Sequence, residues 1–185
     1  MKNLSDHEAI YENEIINTWI ENDESEEIVA RRYRALSTIM NPMYDFILAY
    51  SNYFSTRRNY GYGPDLTMIE AHILTNIYDY PDTTVTEIAS HWRRTTSAIS
   101  QIVRKLINLG LVDRVNSKEN GSVYHLTTTE NGARLALAHK RYDNIDIVKT
   151  RKVLLEKFSV EDLQAFDLVC KAYTEILRAN DKEPR

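Results

Sequence analysis

Residues 83–127 carry a helix-turn-helix pattern followed by a β-hairpin pattern, all within about a quarter of the chain. Ile88, Ala89 and Trp92 mark one apolar helix face, and Ile99, Ile102, Val103, Leu106 and Leu109 recur at spacings of three and four to mark a second. Helices this short are marginal alone, so they must pack across the turn at residues 93–96. That packing leaves Thr96, Ser97, Ser100, Gln101, Arg104 and Lys105 on the opposite face of the second helix. Hydroxyl, amide and guanidinium groups are the side chains that read base edges and grip phosphates. The two patterns together predict a winged helix.

The flanks are helical. A first helix is predicted over about residues 5–22, with Ile10, Ile15, Ile16, Trp19 and Ile20 as its apolar members. A longer one over 26–59 carries a broad apolar stripe that includes Ile28, Tyr33, Leu36, Ile39, Tyr44, Ile47 and Phe54, with a kink expected near Thr38 from Pro42. Two glycines and a proline make residues 59–65 a loop, and 66–78 is a helix burying Ile69, Ile73, Leu74 and Ile77. After the hairpin, Thr128 or Thr129 caps a helix running towards Phe158, and Ser159 with Asp162 opens a last one through Phe166, Val169, Cys170, Tyr173 and Ile176. The fold class is therefore mainly α with a small β-hairpin wing. Four regions follow: an acidic helical extension (1–25), a helical dimerisation or effector region (26–80), the winged helix-turn-helix (81–127) and C-terminal dimerisation helices (128–185). Apolar stripes wider than one small domain can cover argue for a homodimer.

Composition adds a test of this reading. A net charge of −4 is wrong for a nucleic-acid binder taken whole. Residues 86–126, however, hold six basic side chains against three acidic ones, a local +3, while residues 1–30 hold nine acids. Phosphate binding depends on the charge of the docking face, so the segregation restores the DNA reading. The chain has no apolar run long enough for a membrane span and no secretory leader at its N-terminus, which makes the cytoplasm the expected location.

Other chemistry is sparse. His7, His72, His91, His125 and His139 show no ligand spacing, so no metal and no cofactor is expected. Cys170, on an apolar helix face, is expected to be a buried, inert thiol. Twelve tyrosines are many for this length, and Tyr44, Tyr50, Tyr60 and Tyr62 could line a pocket for a small aromatic effector, although core packing is the plainer role. No nucleophile with a nearby base, phosphate loop or paired carboxylates is evident, which argues against an enzyme.

The segments VTEIASHW, SAISQIVRKLINLGLVDR and VYHLTTTENG, with long helices on both sides, resemble the MarR family of bacterial regulators. The resemblance implies a dimeric, sequence-specific DNA-binding transcriptional regulator on a pseudo-palindromic operator, acting as a repressor released by a small ligand. It places Ser97, Ser100, Gln101 and Arg104 in the major groove, a hydroxyl of Thr95 or Thr96 on a phosphate, Gly110 at the end of the recognition helix, and Arg114 at a phosphate or the wing base. Arg93 and Arg94 in the turn, Lys105 and Lys118 complete the candidate DNA-binding set. The departure is the wing, NSKENGS, which is short and has Lys118 as its sole basic residue; this weakens any minor-groove contact. It also keeps open a second reading, a winged-helix protein-interaction module with little specific DNA binding.

Overall fold

The computed structural model describes residues 15, 17–116 and 124–180, and the chain divides into two compact units, 1–56 and 57–185. In the first unit, Ile15 is helical and the Thr18 hydroxyl bonds its carbonyl at 2.6 Å, so the first helix ends by residue 17 and does not reach 22. The rest of that predicted helix lies outside the described residues. Ser25 caps α1 (Glu26–Ser55) by accepting from the Ile28 amide at 3.4 Å. At Thr56 the backbone turns extended, four residues short of the predicted end at 59. Pro42 lies inside α1 without ending it; its missing N–H removes the hydrogen bond to the Thr38 carbonyl. None of α1 is buried within the chain, and Tyr33, Tyr44, Ile47 and Leu48 are exposed.

The second unit contains α2 (Met68–Asp79), α3 (Val85–Trp92), α4 (Thr96–Asn108), β1 (Val112–Asn116), β2 (Tyr124–Thr128), α5 (Glu130–Leu155) and α6 (Val160–Asn180). Its core draws on nearly all of them: Leu66, Ile73, Leu74, Ile77, Ile88, Ile99, Leu106, Leu111, Leu126 and Leu135 are fully buried. Helix α2, grouped with the dimerisation region in the sequence reading, thus shares its core with α3 and α4. Each such side chain contributes roughly 1.5–3 kcal/mol by leaving water.

The strands pair antiparallel, with Val112 opposite Thr128 and Arg114 opposite Leu126. The segment before α3 extends this sheet: the Leu126 amide donates to the Thr83 carbonyl at 2.8 Å, and the Asp82 amide donates to the Leu126 carbonyl at 3.0 Å. The hairpin is thereby fixed to the helix pair. Thr129 caps α5 and ties it to the end of α4, its amide bonding the Leu111 carbonyl at 3.1 Å and its hydroxyl the Gly110 carbonyl at 2.7 Å. Gly132 sits in the same junction, where a Cβ would lie 1.9 Å from the Leu111 carbonyl oxygen. An early helix position tolerates glycine at little cost, but the backbone contact is the stronger cause of a glycine here.

Ser159 and Asp162 form the expected reciprocal cap ahead of α6, with bonds of 2.9 and 3.1 Å. Cys170 is exposed, contrary to the expected buried thiol. The reason is that Val169, Tyr173, Ile176 and Leu177 on the same helix also stay exposed within one chain.

Candidate nucleic-acid interface

The helix-turn-helix is built by its caps. Thr84 and Glu87 bond each other's backbone amides in a capping box that starts α3. These bonds to the Thr84 backbone and hydroxyl hold the Glu87 carboxyl below its ordinary value of 4.5. Arg93 ends α3 in the left-handed conformation, φ 50°, which redirects the chain into α4. Thr95 then caps α4 by accepting from the Ala98 amide at 3.2 Å. Its oxygen is used in the cap, and its O–H remains able to donate to a phosphate beside the helix N-terminus.

Helix α4 buries Ile99, Val103 and Leu106 and presents Thr96, Ser97, Gln101 and Arg104 to solvent, with Ser100 half-buried. Arg93 and Arg94 are exposed at the turn that precedes it. At its other end Gly110 takes φ 67°, and the Gly110 and Leu111 amides bond the Ile107 and Leu106 carbonyls at 2.8 and 3.0 Å, closing the helix as a glycine stop does.

Two candidate residues occupy positions that their spacing does not reveal. Lys105 turns away from the exposed face, and its Nζ lies 2.5 Å from Glu70 Oε1 on α2. Burial opposes ionisation of Glu70, but the Lys105 bond, the Thr67 amide and the charges of Lys105 and Arg57 outweigh it and hold the carboxyl below its ordinary value. Lys105 is therefore engaged with Glu70 at the edge of the core, its side chain still 40% exposed. Arg114 stacks its guanidinium 3.4 Å over the Tyr124 ring across the hairpin, a cation–π contact that fixes its stem on the wing. It lines a groove of about 520 Å³ with Ser100, Arg104, Ile107 and Tyr124. Lys118 lies outside the described residues.

Of the four tyrosines, two belong to each unit. Tyr44 and Tyr50 are exposed on α1. Tyr60 is a core residue, 3% exposed, packed edge-on against His139 and Tyr142, and burial pushes its hydroxyl up to about 12. Tyr62 donates to Asn131 Oδ1 at 2.8 Å. The histidines, in turn, are less scattered than their spacing suggests: His72 and His139 meet edge to face, ring centroids 4.8 Å apart, beside Asp143. The meetings of Glu70 with Lys105 and of His72 with His139 and Asp143 carried no sequence signal, because each partner lies on another helix or four residues away on an unremarkable face.

The family model of the MarR family matches residues 65–121, which run from the start of α2 into the hairpin. The matched segment is similar to the winged helix of the MarR family. Among relatives, the HTH-type transcriptional regulator YhjH of Bacillus subtilis (strain 168) is 31% identical over 83 residues, 45% of this chain and 47% of that protein. The match thus spans about half the length of that curated relative. Solved MarR-like structures extend the likeness in fold. Streptococcus pneumoniae FabT, crystallised in complex with DNA, superposes with a TM-score of 0.56 at 19% identity over 80% of this chain and 98% of its own. Lactococcus lactis ZitR, described as a zinc-responsive MarR family member, gives 0.60 at 18% identity over 76% and 97%. No helix among the described residues is long and apolar enough to cross a membrane.

Proposed function

We propose that this chain is a sequence-specific DNA-binding transcriptional regulator that acts as a homodimer on a pseudo-palindromic operator, as a ligand-released repressor. The observation that carries this reading is the α4 surface. A helix seated on a buried Ile99–Val103–Leu106 stripe holds Thr96, Ser97, Gln101 and Arg104 outward, with Arg93 and Arg94 beside its N-terminus. In this reading Ser97, Ser100, Gln101 and Arg104 read base edges, while Arg93, Arg94, Thr95 and Thr96 hold phosphates. Arg114, anchored on Tyr124, grips the backbone at the base of the wing. Exposed apolar residues on α1 and on α6 support pairing of two chains, which doubles the recognition helices. The likeness to the MarR-family winged helix, and a FabT relative crystallised with DNA, support the same conclusion.

The test is a gel shift on fragments of the source genome across a salt series. A subset of fragments retained at 150–200 mM salt is expected, since specific binding exceeds non-specific binding by about 10³-fold or more. Uniform binding that vanishes at moderate salt, or none at low salt, would sink the regulator reading and favour a protein-interaction module.

A further inference from the structure

Glu70 joins three segments of the second unit. It closes the capping box that starts α2, where its Oε2 accepts from the Thr67 amide at 3.0 Å. The same oxygen lies 3.4 Å from Nη1 of Arg57, which stands two residues past the end of α1. Its other oxygen, Oε1, faces Lys105 Nζ on α4 at 2.5 Å. With its side chain 9% exposed, Glu70 places a negative charge under one flank of α4.

The cap alone does not require that charge, because glutamine closes the same box through its amide oxygen. What the carboxylate adds over an amide is its hold on the two cations. Arg57 has a second anchor, a bond from its other guanidinium nitrogen to the Asp65 carbonyl. Among the described residues, the partner of Lys105 is Glu70.

Lys105 stands one turn beyond the exposed Gln101, about 6 Å along the helix and about 40° around it. It therefore borders the face that carries Ser97, Gln101 and Arg104. A compact ammonium on a flexible stem, with three donors, is suited to a phosphate contact. The Glu70 bond turns it aside, since a phosphate would have to draw it out of a charge-assisted pair.

We propose that Glu70 is a positioning residue for DNA binding, which withholds Lys105 from the phosphate backbone and so limits the sequence-independent part of the affinity. The proposal rests on the DNA reading above. Phosphate contacts strengthen binding to every sequence alike, and non-operator sites outnumber operators by many orders of magnitude. A contact withheld reduces retention on the wrong DNA.

The test measures binding of the full chain to a random-sequence duplex by fluorescence anisotropy, from about 50 to about 200 mM salt. Glu70→Gln keeps the cap and releases Lys105. It should bind on the order of tenfold tighter at the low-salt end and lose about threefold more affinity than the native chain across the series, the increment of one further phosphate contact. Lys105→Gln alone should leave the salt dependence native, and adding it to Glu70→Gln should return both readouts to native. Glu87→Gln removes the same charge from the capping box of α3 and should leave both unchanged. Weaker binding by Glu70→Gln with a native salt dependence would reduce Glu70 to a structural role and overturn the proposal. An equal gain from Glu87→Gln, which would trace the effect to net charge, also overturns it. Lys105→Gln, at a part-exposed position, decides the matter even where Glu70→Gln does not fold: a salt dependence shallower by about one contact would show Lys105 already on the DNA. A native chain that does not bind the duplex at low salt would instead remove the DNA reading itself.

Discussion

Lys105 and Arg104 are adjacent in sequence and serve different ends, because one residue along a helix rotates a side chain by about 100°. Arg104 is exposed, whereas Lys105 reaches Glu70. Lys105→Ala should therefore lower stability by about 1 kcal/mol, a charge-assisted bond discounted for the part-exposed ammonium, read by urea unfolding, with DNA affinity nearly intact. Arg104→Ala should do the reverse. Equal effects of both variants on DNA binding at unchanged stability would show that Lys105 leaves Glu70 to meet DNA. Gly132 is a sharper case. A Cβ there meets the Leu111 carbonyl oxygen at 1.9 Å, and neither is the end of a flexible side chain. Gly132→Ala should cost about 3 kcal/mol or more, although alanine is the better helix former. A stabilised variant in the same unfolding experiment would refute the close approach. Sequence alone marks the glycine but cannot reveal the carbonyl above it, which arrives from the end of another helix.

At the level of elements, the boundaries that local chemistry sets were legible and those that tertiary contact sets were not. Ser159 with Asp162, Thr129 and Gly110 could be read directly, since each satisfies backbone groups within a few residues. The same logic gives a pH prediction for α3. Glu87 has a lowered pKa in the folded chain, so its contribution is fully present above its unfolded value near 4.5. It is lost as the pH falls below that value and through the folded one. Melting temperature should therefore fall on acidification through this range, and Glu87→Gln, which keeps a capping amide, should flatten that part of the curve; an unchanged slope would contradict the assignment. By contrast, the ion pair of Glu70 with Lys105 spans 35 residues, and His72 and His139 stand 67 apart in sequence. No periodicity encodes such meetings. They exist because α2 packs against both α4 and α5.

For the whole molecule, the expected buried thiol and the broad apolar stripes were right about composition and wrong about one chain alone. Cys170, Val169, Tyr173 and Ile176 lie on an exposed face of α6, as Tyr33, Ile47 and Leu48 do on α1. A soluble chain rarely leaves that much apolar surface in water, and a second copy is the cover that a two-fold DNA site would use. Since Val169 and Ile176 are 61% and 59% exposed, changing them to lysine should leave the fold of a single chain within about 0.5 kcal/mol of native. The double variant Val169→Lys/Ile176→Lys should consequently sediment as a well-folded monomer at concentrations where the native chain is a dimer. It should also lose most of its affinity for a full operator while retaining weak binding to a half-site, because linked half-sites gain about 10²–10⁴-fold from acting together. A native chain that sediments as a monomer while binding its operator tightly would remove the dimer from the mechanism and leave one recognition helix to supply all of the specificity.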